Sequence, residues 1–250
     1  MPKPLDLRIV PDPPALFQAA AHEFASCAIA RVKAAGRFTV ALAGGSTPKS
    51  FYSLLAKNDR DRLPWNKLFF FWGDERHVPP DHPESNYRMA FESLLSKVPV
   101  PAGNAFRIPA ENPDANQAAA AYEQTLRDFF ESPAGTFPRF DLILLGMGPD
   151  GHTASLFPGT NALKEKSRLV VANWVEKFKT DRITLTLPVL NQAAAVMFVV
   201  SGQDKAEALK EVLEGTQAPE LYPSKLVHPA NGDLVWLVDQ AAASTLSKKS

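Results

Sequence analysis

Three short segments of this chain set polar and ionisable residues where an apolar run stops, and each suggests a piece of chemistry. The first is Val40-Ala-Leu-Ala-Gly-Gly-Ser-Thr-Pro-Lys-Ser50. Apolar residues lead into Gly44 and Gly45, then the hydroxyls of Ser46 and Thr47, then Pro48 as a first helical residue. Glycines let backbone amides approach a ligand closely, and the unpaired amides of a helix N-terminus attract anions. The same pattern also describes a tight strand-to-helix turn with a capping hydroxyl. This segment alone leaves phosphate binding and plain capping both open.

The second segment is Phe69-Phe-Phe-Trp-Gly-Asp-Glu-Arg-His-Val-Pro-Pro80, a buried strand that ends abruptly in Asp74, Glu75, Arg76 and His77. Those charges lie where a site belongs, or else form a solvated loop that Asp74 and Arg76 tie down. His77, Asp81 and His82 raise the question of a metal. Prolines at 79, 80 and 83 stiffen the loop, and no pair of histidines stands at i and i+4, so we expect surface histidines and no metal.

The third segment, Phe140-Asp-Leu-Ile-Leu-Leu-Gly-Met-Gly-Pro-Asp-Gly-His-Thr-Ala-Ser-Leu-Phe-Pro-Gly159, contains a literal G-x-G-x-x-G at Gly146, Gly148 and Gly151. A dinucleotide site needs a substantial helix from that turn and an acid at the end of the next strand. Pro158-Gly159 limits any helix to about two turns, and the next strand runs into Asn173-Trp174. The nicotinamide reading therefore fails on context. What the turn offers is His152, the side chain best suited to proton transfer near neutral pH. Arg182, before Ile183–Leu187, and Lys205, after Val199-Val-Ser-Gly-Gln-Asp204, are candidate cations for a phosphate; neither decides anything alone.

These residues must be held by a scaffold. Short apolar, β-branched or aromatic runs predict strands at Phe38–Ala43, Leu68–Trp72, Leu142–Leu145, Leu169–Ala172, Ile183–Leu187, Ala195–Val200 and Leu234–Val238. Longer stretches predict helices at Pro14–Ala35, Pro48–Ala56, Ser85–Leu95, Asn116–Phe130 and Lys205–Leu213. Near-continuous apolar strands between helices suit an α/β fold, a parallel sheet covered on both faces whose ligand sites gather at the strands' carboxyl ends. No repeat, low-complexity tract or dividing linker interrupts the 250 residues, so a single domain over 1–250 is expected.

Composition excludes several classes. With 45% hydrophobic and 22% charged residues the chain is ordinary for a globular protein. Its 27 basic and 27 acidic side chains cancel, which argues against a nucleic-acid partner while permitting a local cationic pocket. No apolar run is long enough for a membrane span, and Met1–Arg8 shows no signal-peptide core. The single cysteine, Cys27, cannot form an intrachain disulfide and is expected to pack in a helix. A cytoplasmic enzyme is the default, and the neutral balance permits a monomer.

Taken together, the segments resemble the 6-phosphogluconolactonase family. The matching pieces are A-G-G-S-T-P at Ala43–Pro48, W-G-D-E-R-x-V-P at Trp72–Pro79 and S-N-Y at Ser85–Tyr87. G-M-G-P-D-G-H-T-A-S-L-F-P-G at Gly146–Gly159, R-I-T-L-T at Arg182–Thr186 and S-G-x-x-K at Ser201–Lys205 complete the set. The resemblance implies a three-layer α/β/α sandwich, Rossmann-like, mostly parallel and binding no dinucleotide. It implies hydrolysis of 6-phosphoglucono-δ-lactone to 6-phosphogluconate, the second step of the oxidative pentose phosphate pathway, with no cofactor. His152 is then expected as general base and Asp74 as the group that orients its imidazole. Arg76 is expected to donate to the carbonyl oxygen or to hold the phosphate. Gly44, Gly45, Ser46 and Thr47 are expected at the phosphate, with Arg182 and Lys205. The related glucosamine-6-phosphate deaminases share the D-G-H turn, but Thr153–Gly159 replaces the segment that follows it there. That deaminase activity and a non-catalytic sugar-phosphate sensor are the alternatives.

Overall fold

The computed structural model describes residues 5–247; the leader and domain expectations also touch residues 1–4 and 248–250, which lie outside the described residues. Six parallel strands make the main sheet: β1 (Asp6–Val10), β2 (Phe38–Leu42), β3 (Leu68–Trp72), β5 (Leu142–Leu145), β8 (Ala195–Val200) and β9 (Asp233–Asp239). Their order is β1-β9-β8-β5-β2-β3. A second sheet of three antiparallel strands, β4-β7-β6, comprises β4 (Asp74–Arg76), β6 (Val170–Val175) and β7 (Thr180–Leu185).

The two runs expected as strands near 169–172 and 183–187 therefore leave the parallel sheet. No helix separates them, so they close as a hairpin, with Lys179 in the turn at φ 51°. Strand β7 stops at Leu185, and Leu187–Gln192 turns into a short helix, α5, with a proline in its first turn. Strands β1 and β4 were not expected. The first pairs in parallel with β9 at the edge of the main sheet, its residues half-buried or exposed, and its Asp6 and Arg8 break the apolar run. The second is three charged residues long and exists because β7 lies beside it.

The helices flank these sheets. Helix α1 (Pro13–Ala35) begins at Asp12, whose carboxylate accepts from the Ala15 amide at 2.8 Å, and ends at Gly36 in the left-handed region. Phe24 on α1 meets Phe38 edge-on at 5.5 Å and reaches Phe51 of α2 (Ser46–Asn58). Helices α3 (Asn86–Ser93), α4 (Ala115–Phe130) and α6 (Ala206–Glu214) complete the set. Phe129 and Phe130, at the end of α4, pack with Phe71, Phe106 and Phe140 as one aromatic cluster. Phe198 and Trp236 stack across β8 and β9 at 3.8 Å.

Two buried tyrosines finish the strands that matter for the site. Tyr52 Oη donates to the Ala43 carbonyl and accepts from the Ala43 amide, both at 3.0 Å. Ala43, just past the end of β2 at Leu42, thus spends its backbone groups on a side chain. Tyr122 does the same for Trp72, accepting from its amide at 2.8 Å and donating to its carbonyl at 3.1 Å. Strand order reverses between β2 and β5: from β2 the sheet grows to β3, and from β5 to β8 and β9. A ligand crevice is expected outside the carboxyl ends at such a switch point.

Candidate active site

A cleft of about 260 Å³ opens at that point. Its wall comes from the residues following β2, β3, β5 and β8: Ala43–Pro48, Gly73 with Asp74 and Arg76, Gly146–Pro149 with His152, and Ser201 with Lys205. Four separated loops converge because parallel strands all end on the same side.

The first loop enters α2 through Gly45, whose φ of 108° suits glycine. Pro48 was expected as the first helical residue, but the helix opens two residues earlier, at Ser46. Proline is tolerated there because first-turn amides have no helical partner to lose. No side chain caps this helix, so the first-turn amides, with the Ser46 and Thr47 hydroxyls, border the cleft with anion-binding capacity. Gly44 is required for a different reason: a Cβ there would strike the Asn86 carboxamide.

The second loop carries Asp74 and Arg76 on β4. Asp74 is 7% exposed. Its carboxylate accepts from Ser155 Oγ at 2.6 Å and from Asn86 Nδ2 at 3.3 Å. Arg76 Nη1 donates to the Glu84 carbonyl at 2.8 Å. Across the β4–β7 pair, Arg76 stands opposite Arg182. Arg182 lies outside the cleft wall, with its guanidinium over the Phe178 ring at 5.1 Å. Burial, then the charge of Arg76, lowers the Arg182 pKa, and among the described residues no carboxylate pairs with it. Two adjacent guanidiniums repel each other, and an anion between or beside them would relieve that.

The third loop holds His152. Its Nδ1 is hydrogen-bonded to Asp150 Oδ1, and its ring stacks on Phe157 with centroids 4.1 Å apart. The Gly148 amide donates to the His152 carbonyl at 2.9 Å, and a Cβ at Gly148 would strike the imidazole. The turn is closed around this one side chain. Burial pushes the Asp150 carboxyl up, but its bonds to His152 and the nearby Lys177 charge outweigh burial and hold it below the usual carboxylate range. Lys177 Nζ lies 3.4 Å from Asp150 Oδ2. The expectation that Asp74 orients His152 is thus corrected: the loops do meet, but Ser155 and Asn86 occupy the Asp74 carboxylate, and Asp150 holds the ring. A carboxylate two residues before a backbone amide is the ordinary Asx-turn arrangement, and Asp150 Oδ1 also accepts from the His152 amide at 3.3 Å. That pattern in Asp150-Gly-His152 was the available signal.

The fourth loop is held by Asp239, at the end of β9. Its carboxylate accepts from Ser201 Oγ at 2.5 Å, from the Gly202 amide and from the Ala242 amide at 2.7 Å. Lys205 borders the cleft and pairs with Asp204 at 2.6 Å. The histidines of the second segment have other employment: His77 Nε2 is 2.7 Å from the Asn112 carbonyl, and His82 Nδ1 accepts from the Glu84 amide.

Residues 11–236 match the glucosamine-6-phosphate isomerases/6-phosphogluconolactonase family. The chain belongs to this family. It is 44% identical over 241 residues to a 6-phosphogluconolactonase of Nostoc sp., covering 96% of this chain and 98% of that one. A Synechocystis sp. 6-phosphogluconolactonase is 46% identical over 211 residues, 84% of this chain and 85% of its own. Among solved structures, 6-phosphogluconolactonase from Trypanosoma cruzi superposes with a TM-score of 0.89 at 30% identity, covering 99% of both chains.

In this family member the cleft brings Gly44–Thr47 and Lys205 into one wall with a histidine whose Nδ1 is occupied. Asn86, Ser155 and Phe157 were not singled out from the sequence, although each stands inside or beside a quoted motif. Among the described residues no helix is long and apolar enough to cross a membrane.

Proposed function

We propose that this chain hydrolyses 6-phosphoglucono-δ-lactone to 6-phosphogluconate, acting as a single sugar-phosphate lactonase domain in the oxidative pentose phosphate pathway. The observation that carries the mechanism is the Asp150–His152 bond. A carboxylate on Nδ1 favours the tautomer with its proton there and leaves Nε2 as the acceptor. Among the described residues Nε2 has no partner, and His152 lines the cleft.

In the hydrolytic step, Nε2 takes a proton from water as the water oxygen bonds to the lactone carbonyl carbon. The ring C–O bond then breaks, and the imidazolium returns the proton to the departing ring oxygen. Arg76 donates to the carbonyl oxygen as negative charge develops, or else holds the phosphate. The substrate phosphate, remote from the reacting carbon, is held by Gly44, Gly45, Ser46 and Thr47 with Lys205 and Arg182, so it anchors the ring and does no chemistry. Asp74 keeps a supporting place, holding Ser155 and Asn86. A cytoplasmic monomer is part of the same proposal.

The test is lactone hydrolysis above the spontaneous rate, on lactone generated in situ with a chelator present. Fast turnover in the wild type, lost in His152→Ala, is expected. No turnover above background would overturn the reading and leave ammonia release from glucosamine 6-phosphate as the next assay.

A further inference from the structure

Glu75 stands between two cleft residues, Asp74 and Arg76, yet its side chain points the other way and is 2% exposed. Successive residues of a strand face opposite sides, so β4 presents Asp74 and Arg76 to the cleft and sends Glu75 behind it. There the carboxylate receives four hydrogen bonds. Oε1 accepts from the Arg76 amide at 2.8 Å and the Asn86 amide at 2.7 Å. Oε2 accepts from the Tyr87 amide at 2.8 Å and Ser85 Oγ at 3.0 Å. Among the described residues no ion pair reaches it.

Asn86 and Tyr87 begin α3, so Glu75 takes amides of the first turn while Ser85, the N-cap, accepts from Arg88 at 3.1 Å. A carboxylate is well placed at the positive end of a helix. Burial pushes the Glu75 carboxyl above its usual range, and the amide donors offset only part of that.

The segment that Glu75 holds is the one that supports the cleft. Glu84, one residue before Ser85, provides the carbonyl that receives the Arg76 guanidinium. Asn86 Nδ2 donates to the Asp74 carbonyl at 3.0 Å, and its carboxamide fills the space left by Gly44. Glu75 thus grips Arg76 at its amide and, through residues 84–86, at its guanidinium anchor.

We propose that Glu75 is a positioning residue for the lactonase reaction: it clamps β4 to the start of α3 and so sets where Arg76 and Asn86 stand in the cleft. The proposal rests on the lactonase reading. Misplacing a catalytic group by about 1 Å costs on the order of 100-fold in rate, so the clamp should matter well beyond its effect on stability.

The experiment compares wild type, Glu75→Gln, Arg76→Lys and the double variant, with Leu16→Ala as a control that destabilises the core on α1 away from the cleft. Glu75→Gln turns one acceptor into a donor facing other donors. We expect kcat/KM of the folded Glu75→Gln protein to fall about 10- to 100-fold, and that loss to shrink markedly in the Arg76→Lys background. A fall in kcat would place Arg76 at the carbonyl oxygen, and a rise in KM would place it at the phosphate; both support the clamp. Glu75→Gln activity equal to that of the Leu16→Ala control, or losses that simply add in the double variant, would overturn it. An inactive wild type would instead sink the lactonase reading. The clamp is then decided by a crystal structure of Glu75→Gln, where Arg76 and residues 84–86 in their wild-type places refute it.

Discussion

Asp150 and His152 are hydrogen-bonded side chain to side chain across a single glycine, and Gly151 makes that possible. Its φ of 74° folds the turn back, and its bare Cα lets Tyr222 approach to where a Cβ would be 2.7 Å from Cδ1. The imidazole is then held at its Nδ1 edge by Asp150 and on one face by the Phe157 ring. Its orientation is decided before any substrate arrives.

Asp150→Asn should therefore lower kcat by roughly 10- to 100-fold with little change in KM, since it removes a charge that favours the imidazolium without touching the phosphate end. The Asp150 carboxyl is held below its ordinary 3.8. A depressed carboxylate stabilises the fold above that unfolded value and loses the contribution as pH falls through the folded one. The stability gap between wild type and Asp150→Asn should accordingly narrow below about pH 3.8. Urea melts at a series of pH values measure it.

Asp74 offers the contrast. Asp74→Ala leaves Ser155 Oγ and Asn86 Nδ2 with a lost acceptor in a buried site, a cost of about 1–3 kcal/mol. Asp74→Asn should cost less. Neither should lower kcat as far as Asp150→Asn does. A kcat loss in Asp74→Asn equal to that in Asp150→Asn would return Asp74 to the imidazole.

Lys205 in the cleft wall and Arg182 beside Arg76 should behave differently from the histidine. Lys205→Ala or Arg182→Ala should chiefly raise KM, while His152→Ala should lower kcat by about 10²- to 10⁴-fold at near-constant KM. Steady-state kinetics on lactone made in situ separate the two patterns. A kcat loss in Lys205→Ala equal to that in His152→Ala would break the assignment.

Two glycines make a matched pair. Gly148→Ala drives a methyl into the imidazole and should act on kcat; Gly44→Ala drives one into the Asn86 carboxamide and should disturb the β2–α2 loop and KM. Both neighbours are buried or constrained, so both variants should also melt earlier than wild type. Thermal melts and kinetics on the same preparations test the division.

Cys27 provides a check remote from the cleft. It is half-buried on α1, and burial, followed by the Asp141 charge, pushes its thiol up to about 11. Alkylation of the native protein at pH 8 should run well below the rate of a free thiol and approach it on denaturation.

Much was legible in the sequence because its signals are local. Leu68–Trp72, Leu142–Leu145 and Ala195–Val200 are strands to the residue, since an apolar run bounded by polar residues has one way to be buried in a parallel sheet. Gly44–Thr47, Asp74, Arg76, His152 and Lys205 all border one cleft because each follows a strand whose carboxyl end faces the same way. What the tertiary structure alone decided is pairing. Strands β6 and β7 read like core strands, yet they join β4 in a separate antiparallel sheet, because burial does not specify a neighbour. The backbone of Ala43, just past β2, went to the hydroxyl of Tyr52, a side chain nine residues on. Asp74 went to Ser155, 81 residues away, leaving His152 to Asp150, two residues away. Residue type and spacing named the groups that can exchange protons; only the folded chain chose which carboxylate reaches which donor, because a hydrogen bond depends on position in space and the chain can bring many candidates within reach.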